Sequence, residues 1–291
     1  MRNAARALLL LIAKQNNKIT RIRLVKLAFL TSREICVGKK FSFYEFVPYQ
    51  YGPFSFCLYK DLVALSKDGW ISQNGNSVKL EKNGSELQEQ FKKLPSKLKS
   101  AVELVTAKTT YFSDDFLVDS IYQTHPEYTY YSKIASDKPP KPVAPIQIYT
   151  IGYQGFSVDG FLNHCVQRGI QRIIDVRNVP FSMSWDFCKK PLSNFCNKLE
   201  IEYLHYPQLG IPGNKRKCLK SNEDYLELFD YYENSILPTQ EQALDQIGEI
   251  IRTKPSALLC MEQSPQMCHR SRLAEALSRR LNLDVCHLTV Q

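Results

Sequence analysis

The chain has 291 residues, 44% of them hydrophobic and 23% charged. That length exceeds one average domain, and the balance is that of a soluble globular protein built as two domains. No apolar run approaches the roughly 20 residues that span a bilayer, which argues against a membrane-spanning class. The N-terminal "ARALLLLIAKQNN" is short, lacks a small-residue cleavage site and runs straight into Lys14, so it predicts a buried first helix rather than an export signal. Nine cysteines, an odd number with no CxxC pair, fit reduced thiols in a cytoplasmic protein, mostly as core filler.

The net charge of +9 is unevenly spread. Residues 1–145 carry 22 Lys and Arg against 13 Asp and Glu, whereas residues 146–291 carry 16 of each. The excess positive charge therefore belongs to the N-terminal half and points to a polyanion, with duplex DNA the expected partner.

The N-terminal half reads as helices with one hairpin. Residues 3–15 are apolar at helical spacing. "TRIRLVKLAFL" offers Thr20 as an N-cap, with Ile22, Val25, Leu27, Ala28 and Leu30 on one face, and Lys18, Arg21, Arg23 and Lys26 on or near the other. "FYEFVPYQYGPFS" has the aromatic density and Pro-Gly punctuation of an irregular packed segment. Ser55 caps a further helix, "FCLYKDLVALSKDGW", which Gly69 closes. Asn74-Gly75, between Trp70-Ile71 and Val78-Leu80, signals a hairpin. Helix, helix, hairpin is the order of a winged helix, in which the second helix enters the major groove and the wing touches phosphates. The expected DNA contacts are Arg21, Arg23, Lys60, Lys67, Lys79 and Lys82. "KITRIRLVKLAFL", "YGPFS" with "LYKDLVALSKDGWI", and "FLVDSIYQTHPEYTYYSKI" resemble YwgA-like and Panacea-type prokaryotic domains over roughly residues 3–135. The resemblance implies a binding or regulatory module beside nucleic-acid enzymes or defence systems, and no reaction.

"SDKPPKPVAPIQ" holds four prolines between Pro139 and Pro145 and reads as an extended linker over 139–146. The expected domains are thus a winged-helix-like unit over 1–138 and an α/β unit over 147–291. In the latter, "IQIYTIG", "IQRIIDVR", "IEYLHY", "SALLCME" and "LDVCHL" are strands. Helical patterns follow Ser157 and fall near 222–234, 239–252 and 269–281. The alternation predicts a mainly parallel sheet, which binds ligands beyond the carboxyl ends of its strands.

The polar residues of this half gather at those ends. "TIGYQGFSVDGF", "IDVRNVPFS", "IEYLHYPQLG" and "LLCMEQSPQMCHRSRLAEAL" resemble the YeaO-like uncharacterised domain 488 family over about residues 147–288. Many members read Gly-His-Ser where this chain has Gly152, Tyr153 and Gln154, so no base is expected at the first strand. The family name implies no reaction. "GYQG" is not a GxGxxG fingerprint, so no dinucleotide cofactor is expected. Cys268 sits near a helix start beside His269 and Arg270, where a thiol can be activated, yet the cradle of a thiol phosphatase cannot form from two positions so close. Glu262, Cys268, His269 and Asp175 include metal-ligand types. Their spacing matches no zinc pattern, and Cys260 and Cys286 belong to strands, so no metal is assigned.

The reading adopted uses carboxylates and cations. Asp175 or Glu262 is general base or charge stabiliser. Arg177 and Arg270 hold phosphate, the latter with the amides of its helix start. Tyr153, Trp185 or Tyr203 stacks on a base, and Gly155, Ser182, His205, Cys268 and His269 complete the substrate-binding wall. Lys215 and Arg216, from "PQLGIPGNKRK", add nucleic-acid contacts. A DNA-binding module beside such a pocket suggests a glycosylase-like hydrolase that extracts a modified or damaged base. A metal-dependent nuclease and a non-enzymatic regulator sensing a nucleotide-like ligand stand as alternatives, as does a structural reading in which Asp175–Arg177 and Glu262–Arg270 are ion pairs bracing turns.

Overall fold

The computed structural model describes residues 1–35, 43–82, 84–216 and 221–289. Two of the nine cysteines, Cys36 and Cys218, lie outside them. Two compact units, Met1–Pro140 and Lys141–Gln291, divide the chain.

In the first unit, α1 (Asn3–Ala13) buries Leu8, Leu9, Leu11 and Ile12 completely. A short strand, β1 (Lys18–Thr20), leads into α2 (Arg21–Ile35), where the Thr20 hydroxyl accepts the Arg23 amide at 3.2 Å, as an N-cap does. The aromatic segment expected to be irregular holds a hairpin instead. Its strands β2 (Val47–Tyr49) and β3 (Gly52–Phe54) pair antiparallel, and Gly52 at φ +83° makes the tight return possible. Ser55 accepts the Leu58 amide at 3.1 Å and caps α3 (Phe56–Lys67); Gly69, at φ +72°, ends it. The strands β4 (Ile71–Asn74) and β5 (Ser77–Leu80) then pair with Asn74 opposite Ser77, so the turn is Gly75-Asn76, one residue beyond the expected pair. With β1 they form a three-stranded antiparallel sheet of order β1-β5-β4. Three helices, α4 (Gly84–Lys92), α5 (Ser96–Lys108) and α6 (Asp114–Thr124), complete the unit, with α5 and α6 packed against α2.

Two cations read as lying on the polar face of α2 are interior. Arg23 donates to Gln15 and to the carbonyls of Thr109 and Phe112, and pairs with Asp114 at 3.2 Å. It braces α2 to the start of α6, so the phosphate contact expected of it is corrected to a structural tie. Lys26 is almost fully buried and donates to the Tyr51 and Pro53 carbonyls. It borders a cavity of about 480 Å³ lined by Arg21, Tyr49, Tyr59 and Asn76 among others. Burial pushes its pKa from 10.5 down to about 7. Between those values the unfolded chain binds the additional proton, so stability rises with pH there, and the penalty for burying the charge is fully present below the lower value. The difference in unfolding free energy between the wild type and Lys26→Met is therefore expected to change across pH 7–10 by up to about 1.4 kcal/mol per pH unit. Parallel denaturation-versus-pH curves for the two proteins would contradict this.

The second unit is an α/β alternation. Its elements are β6 (Ile148–Gly152), α7 (Val158–Gln167), β7 (Arg172–Asp175), α8 (Lys189–Lys198), β8 (Glu202–His205), α9 (Asn222–Tyr231), α10 (Glu241–Thr253), β9 (Ser256–Cys260), α11 (His269–Leu281) and β10 (Val285–Leu288). All five strands are parallel, in the order β10-β6-β9-β7-β8. The central strands β6, β7 and β9 are buried throughout, which is why their sequences read as unbroken apolar runs rather than alternating ones. The Ser157 hydroxyl accepts the Gly160 amide at 3.0 Å to open α7, and Asn282 in the left-handed conformation closes α11. No described helix is long and apolar enough to cross a membrane.

Candidate functional site

Parallel strands deliver their carboxyl ends to one edge of the sheet, so Gly152, Asp175, His205 and Cys260 finish on the same side. What each residue does there follows from burial and hydrogen bonding.

Asp175 is fully buried and saturated. Its carboxylate accepts the Arg177 amide at 3.0 Å, the Arg177 Nε at 2.9 and 3.1 Å, the Arg177 guanidinium again through Nη2, and the Tyr203 hydroxyl. Burial and then the neighbouring carboxylate push the Tyr203 phenol up, so it stays protonated as a donor. Arg177 is equally buried, and its remaining nitrogen donates to the Phe187 carbonyl at 2.9 Å. It lies 5.1 Å from the Tyr153 ring centroid, and Tyr153 in turn stacks on Phe187 at 4.4 Å. The general-base role expected of Asp175, the phosphate role of Arg177 and the base-stacking role of Tyr153 are corrected accordingly, while the partly exposed Tyr203 is tied to Asp175 through its hydroxyl. Together they brace the β7 loop: the Asp175 carboxylate is taken up by Arg177 and the Tyr203 hydroxyl, and the buried Tyr153 ring lies against Phe187 and Arg177.

Arg270 is also interior. It donates to the Glu262 carbonyl and, at 3.0 Å, to the Gln263 carbonyl. It clamps the turn between β9 and α11 rather than holding phosphate. The same turn crowds β6: a Cβ on Gly152 would stand 1.8 Å from the Glu262 carbonyl oxygen. Only glycine permits that approach.

His205 donates Nε2–H to the Arg177 carbonyl at 2.9 Å, which leaves Nδ1 to accept from Lys189 at 3.1 Å. The Ser182 hydroxyl accepts the Ser184 amide at 3.1 Å. Gly155, at φ +87°, turns an exposed loop. Beyond β7 the loop 179–185 turns apolar side chains outward: Phe181 is 69% exposed, Met183 96% and Trp185 64%. Trp185, expected to stack on a base, is thus on the surface of the sheet edge, and Lys215 is exposed with its ammonium 4.8 Å from the Tyr231 ring centroid.

The chemistry converges at β9 and α11. Cys260 ends the strand, Cys268 occupies the N-cap of the helix and His269 opens it, all three buried. Cys260 Sγ, Cys268 Sγ and a His269 ring nitrogen lie within 4.8 Å of one another. Cys260 Sγ is 3.9 Å from His269 Nδ1 and 3.3 Å from Glu262 Oε2. His269 Nε2 is 3.1 Å from the Val176 carbonyl, which can only accept, so Nε2 carries the proton and Nδ1 a lone pair. That lone pair accepts from Arg216 at 3.0 Å, and Arg216 stands 3.7 Å from Glu262. The Cys268 hydrogen bond holds the Cys260 thiol well below its ordinary range, while burial pushes Cys268 up. Burial, with the Cys260 sulfur adding to it, also raises Glu262 above the usual carboxylate range.

Of the residues chosen from the sequence, Glu262, Cys268, His269 and Arg216 therefore meet, whereas Asp175 and Arg177 form a separate brace. Arg216 turns inward to the cluster instead of serving as a nucleic-acid contact. By its place in an apolar run Cys260 reads as strand filler. Its signal was position, since it is the last residue of a strand eight positions ahead of a Cys-His pair that starts a helix.

A parallel α/β unit with Cys260, Glu262 and the Cys268–His269 pair gathered at its carboxyl edge defines the class. Residues 157–277 match the family model described as domain of unknown function DUF488. No curated protein and no solved structure matches the chain.

Proposed function

We propose that the protein is a DNA-binding hydrolase of glycosylase type, which removes a modified or damaged base from duplex DNA with Glu262 as its carboxylate. One observation carries this reading. Glu262 is a partly exposed carboxylate with a raised pKa at the same sheet edge where Phe181, Met183 and Trp185 project outward. Apolar side chains of this kind insert between bases and favour extrusion of a nucleotide. A carboxylate whose pKa lies closer to neutrality is a better matched base for water. In the step envisaged, a water oxygen bonds to C1′ as the C1′–N bond breaks. The water proton passes to Glu262, and the base leaves with the electron pair of the broken bond and takes up a proton from solvent, to which Glu262 later returns its own.

The first unit supports the DNA half of the reading. Its order α1-β1-α2-β2-β3-α3-β4-β5, with sheet order β1-β5-β4, supports a winged-helix reading in which the β2-β3 hairpin is an insertion between the second and third helices. Lys60 and Lys67 are both exposed on α3 seven positions apart, and Lys79 on the hairpin is exposed as well. Arg21 is held to the Gly75 carbonyl at 2.6 Å and Lys82 to Glu86 at 3.1 Å, so these two contribute less as phosphate contacts. The double variant Lys67→Glu/Lys79→Glu is expected to weaken binding to all duplexes alike and to lower the slope of log K against log salt by about 0.9 per lysine. An unchanged slope would remove both residues from the interface.

The nuclease alternative loses Asp175, one of its two hard oxygen ligands, the other being Glu262, to Arg177. Incubation with duplexes carrying modified bases separates the readings by product. Free base and an abasic strand support the glycosylase, cut strands the nuclease, and binding without product a regulator.

A further inference from the structure

Cys260, Cys268 and His269 form a set of soft ligands on two rigid elements, the end of β9 and the start of α11. Their donor atoms lie within 4.8 Å of one another, and the sulfur of Cys260 is 3.9 Å from Nδ1 of His269. In a tetrahedral zinc site, with zinc–sulfur near 2.3 Å and zinc–nitrogen near 2.0 Å, such a pair stands about 3.5 Å apart. That pair needs only a few tenths of an ångström of adjustment, and the Cys268 sulfur lies within 4.8 Å of both.

The imidazole is oriented as a metal ligand is. Its Nε2–H is fixed on the Val176 carbonyl at 3.1 Å, which turns the Nδ1 lone pair toward the thiols. A backbone carbonyl holding the far nitrogen is the usual second support of a ligating histidine.

A positive charge already occupies this corner. The Arg216 guanidinium touches Nδ1 at 3.0 Å and approaches Glu262 at 3.7 Å. Two sulfurs, an imidazole lone pair and a carboxylate make an electron-rich centre that draws a cation. Arg216 fills it poorly, because its buried Nε has no hydrogen-bond partner.

We propose that Cys260, Cys268 and Nδ1 of His269 bind a zinc-class divalent cation, with the fourth coordination position facing Glu262. Three protein ligands and one open position is the arrangement of a catalytic zinc, whose bound water becomes a nucleophile near neutral pH. Glu262 Oε2, 3.3 Å from the Cys260 sulfur, is placed to take the proton of that water. A hydroxide then forms on the ion and the proton resides on Glu262, so charge and atoms balance without any further reagent. Arg216 yields Nδ1 to the ion and keeps its attraction to Glu262. The site stands on its own geometry and does not rest on the glycosylase reading.

The test uses the full-length, reduced, metal-stripped protein titrated with Co²⁺. One equivalent is expected to produce thiolate-to-cobalt charge transfer in the near ultraviolet and intense tetrahedral ligand-field bands, both abolished by Zn²⁺. Cys268→Ser, His269→Asn and Cys260→Ser should each weaken binding at least 100-fold. Serine is a preferred N-cap, so Cys268→Ser is the variant expected to keep its fold, which circular dichroism checks. Arg216→Ala, which removes the competing cation, should bind Co²⁺ at least tenfold more tightly with the same spectrum. The proposal is overturned if the reduced wild type shows no thiolate–cobalt bands, if folded Cys268→Ser keeps them unchanged, or if thiol counting shows that Cys260 and Cys268 have closed a disulfide that excludes the ion. Cobalt bands without base release would remove the glycosylase reading and leave the metal site. Base release by protein that binds no Co²⁺ would do the reverse.

Discussion

Replacement of Gly152 by alanine is expected to be among the most damaging single changes in the second unit. The added Cβ falls 1.8 Å from the Glu262 carbonyl oxygen, 2.6 Å from its carbonyl carbon and 3.2 Å from Nη1 of Arg270. The obstacle is backbone, so no rotamer change relieves it. The turn must move, and with it the Arg270 clamp on the Glu262 and Gln263 carbonyls. Overpacking typically destabilises by 1–3 kcal/mol, and a clash with fixed backbone belongs at or beyond the upper end, about 3 kcal/mol or more. Urea unfolding of the variant gives the number. A loss below about 1 kcal/mol would mean that the turn is softer than its hydrogen bonds imply. Whatever stability remains, the displaced turn also carries Glu262 out of position, so any activity should fall further than stability does.

The second large effect concerns the brace beneath the β7 loop. Asp175→Asn keeps the shape of the side chain but removes the charge that the buried Arg177 guanidinium requires. Breaking one partner of a buried pair destabilises by about 3–5 kcal/mol, because the other charge is left uncompensated. Arg177→Met alone should be comparably damaging, since it strands the Asp175 carboxylate. The double variant Asp175→Asn/Arg177→Met removes both charges and should recover a substantial part of the loss. Additive losses in the cycle would show that the two residues do not act as a pair. The same cycle separates structure from chemistry. A role in chemistry beyond the brace would show as activity that the double variant, with its stability recovered, still lacks.

The architecture of the second unit was legible in the sequence for a simple reason. Buried parallel strands are covered on both faces, so β6, β7 and β9 appear as apolar runs with polar residues only at their ends. Strand ends could therefore be located, and with them the sheet edge that carries Asp175, His205 and Cys260. Three short strands, β1, β2 and β3, were not legible. Three residues, as in β1 or β2, are too few for a period to register, and the aromatic content of β2 and β3 resembled loop packing. The site was half legible. Glu262, Cys268 and His269 are contiguous with a strand end and a helix start, so their meeting could be read. Which of two plausible roles a charged residue takes could not. Asp175 and Arg177 alternate on an extended segment, a spacing that serves a substrate or a buried pair equally well. Only Tyr203 and Phe187, arriving from elsewhere in the chain, decide it. Arg216 looked like part of a basic loop until its contact with His269 turned it inward.

The central claim is that Glu262 acts on DNA at the carboxyl edge of the sheet. The most direct measurement is release of free base, followed by chromatography and mass spectrometry, from duplexes carrying a panel of modified bases. Wild-type protein is compared with Glu262→Gln, which keeps the side-chain shape but cannot take up a proton. The prediction is base release with an abasic strand from the wild type, and a loss of at least about 100-fold in a variant that still folds and binds the same duplex. A wild type that leaves every duplex unchanged, or a Glu262→Gln variant that releases base at the wild-type rate, would contradict it.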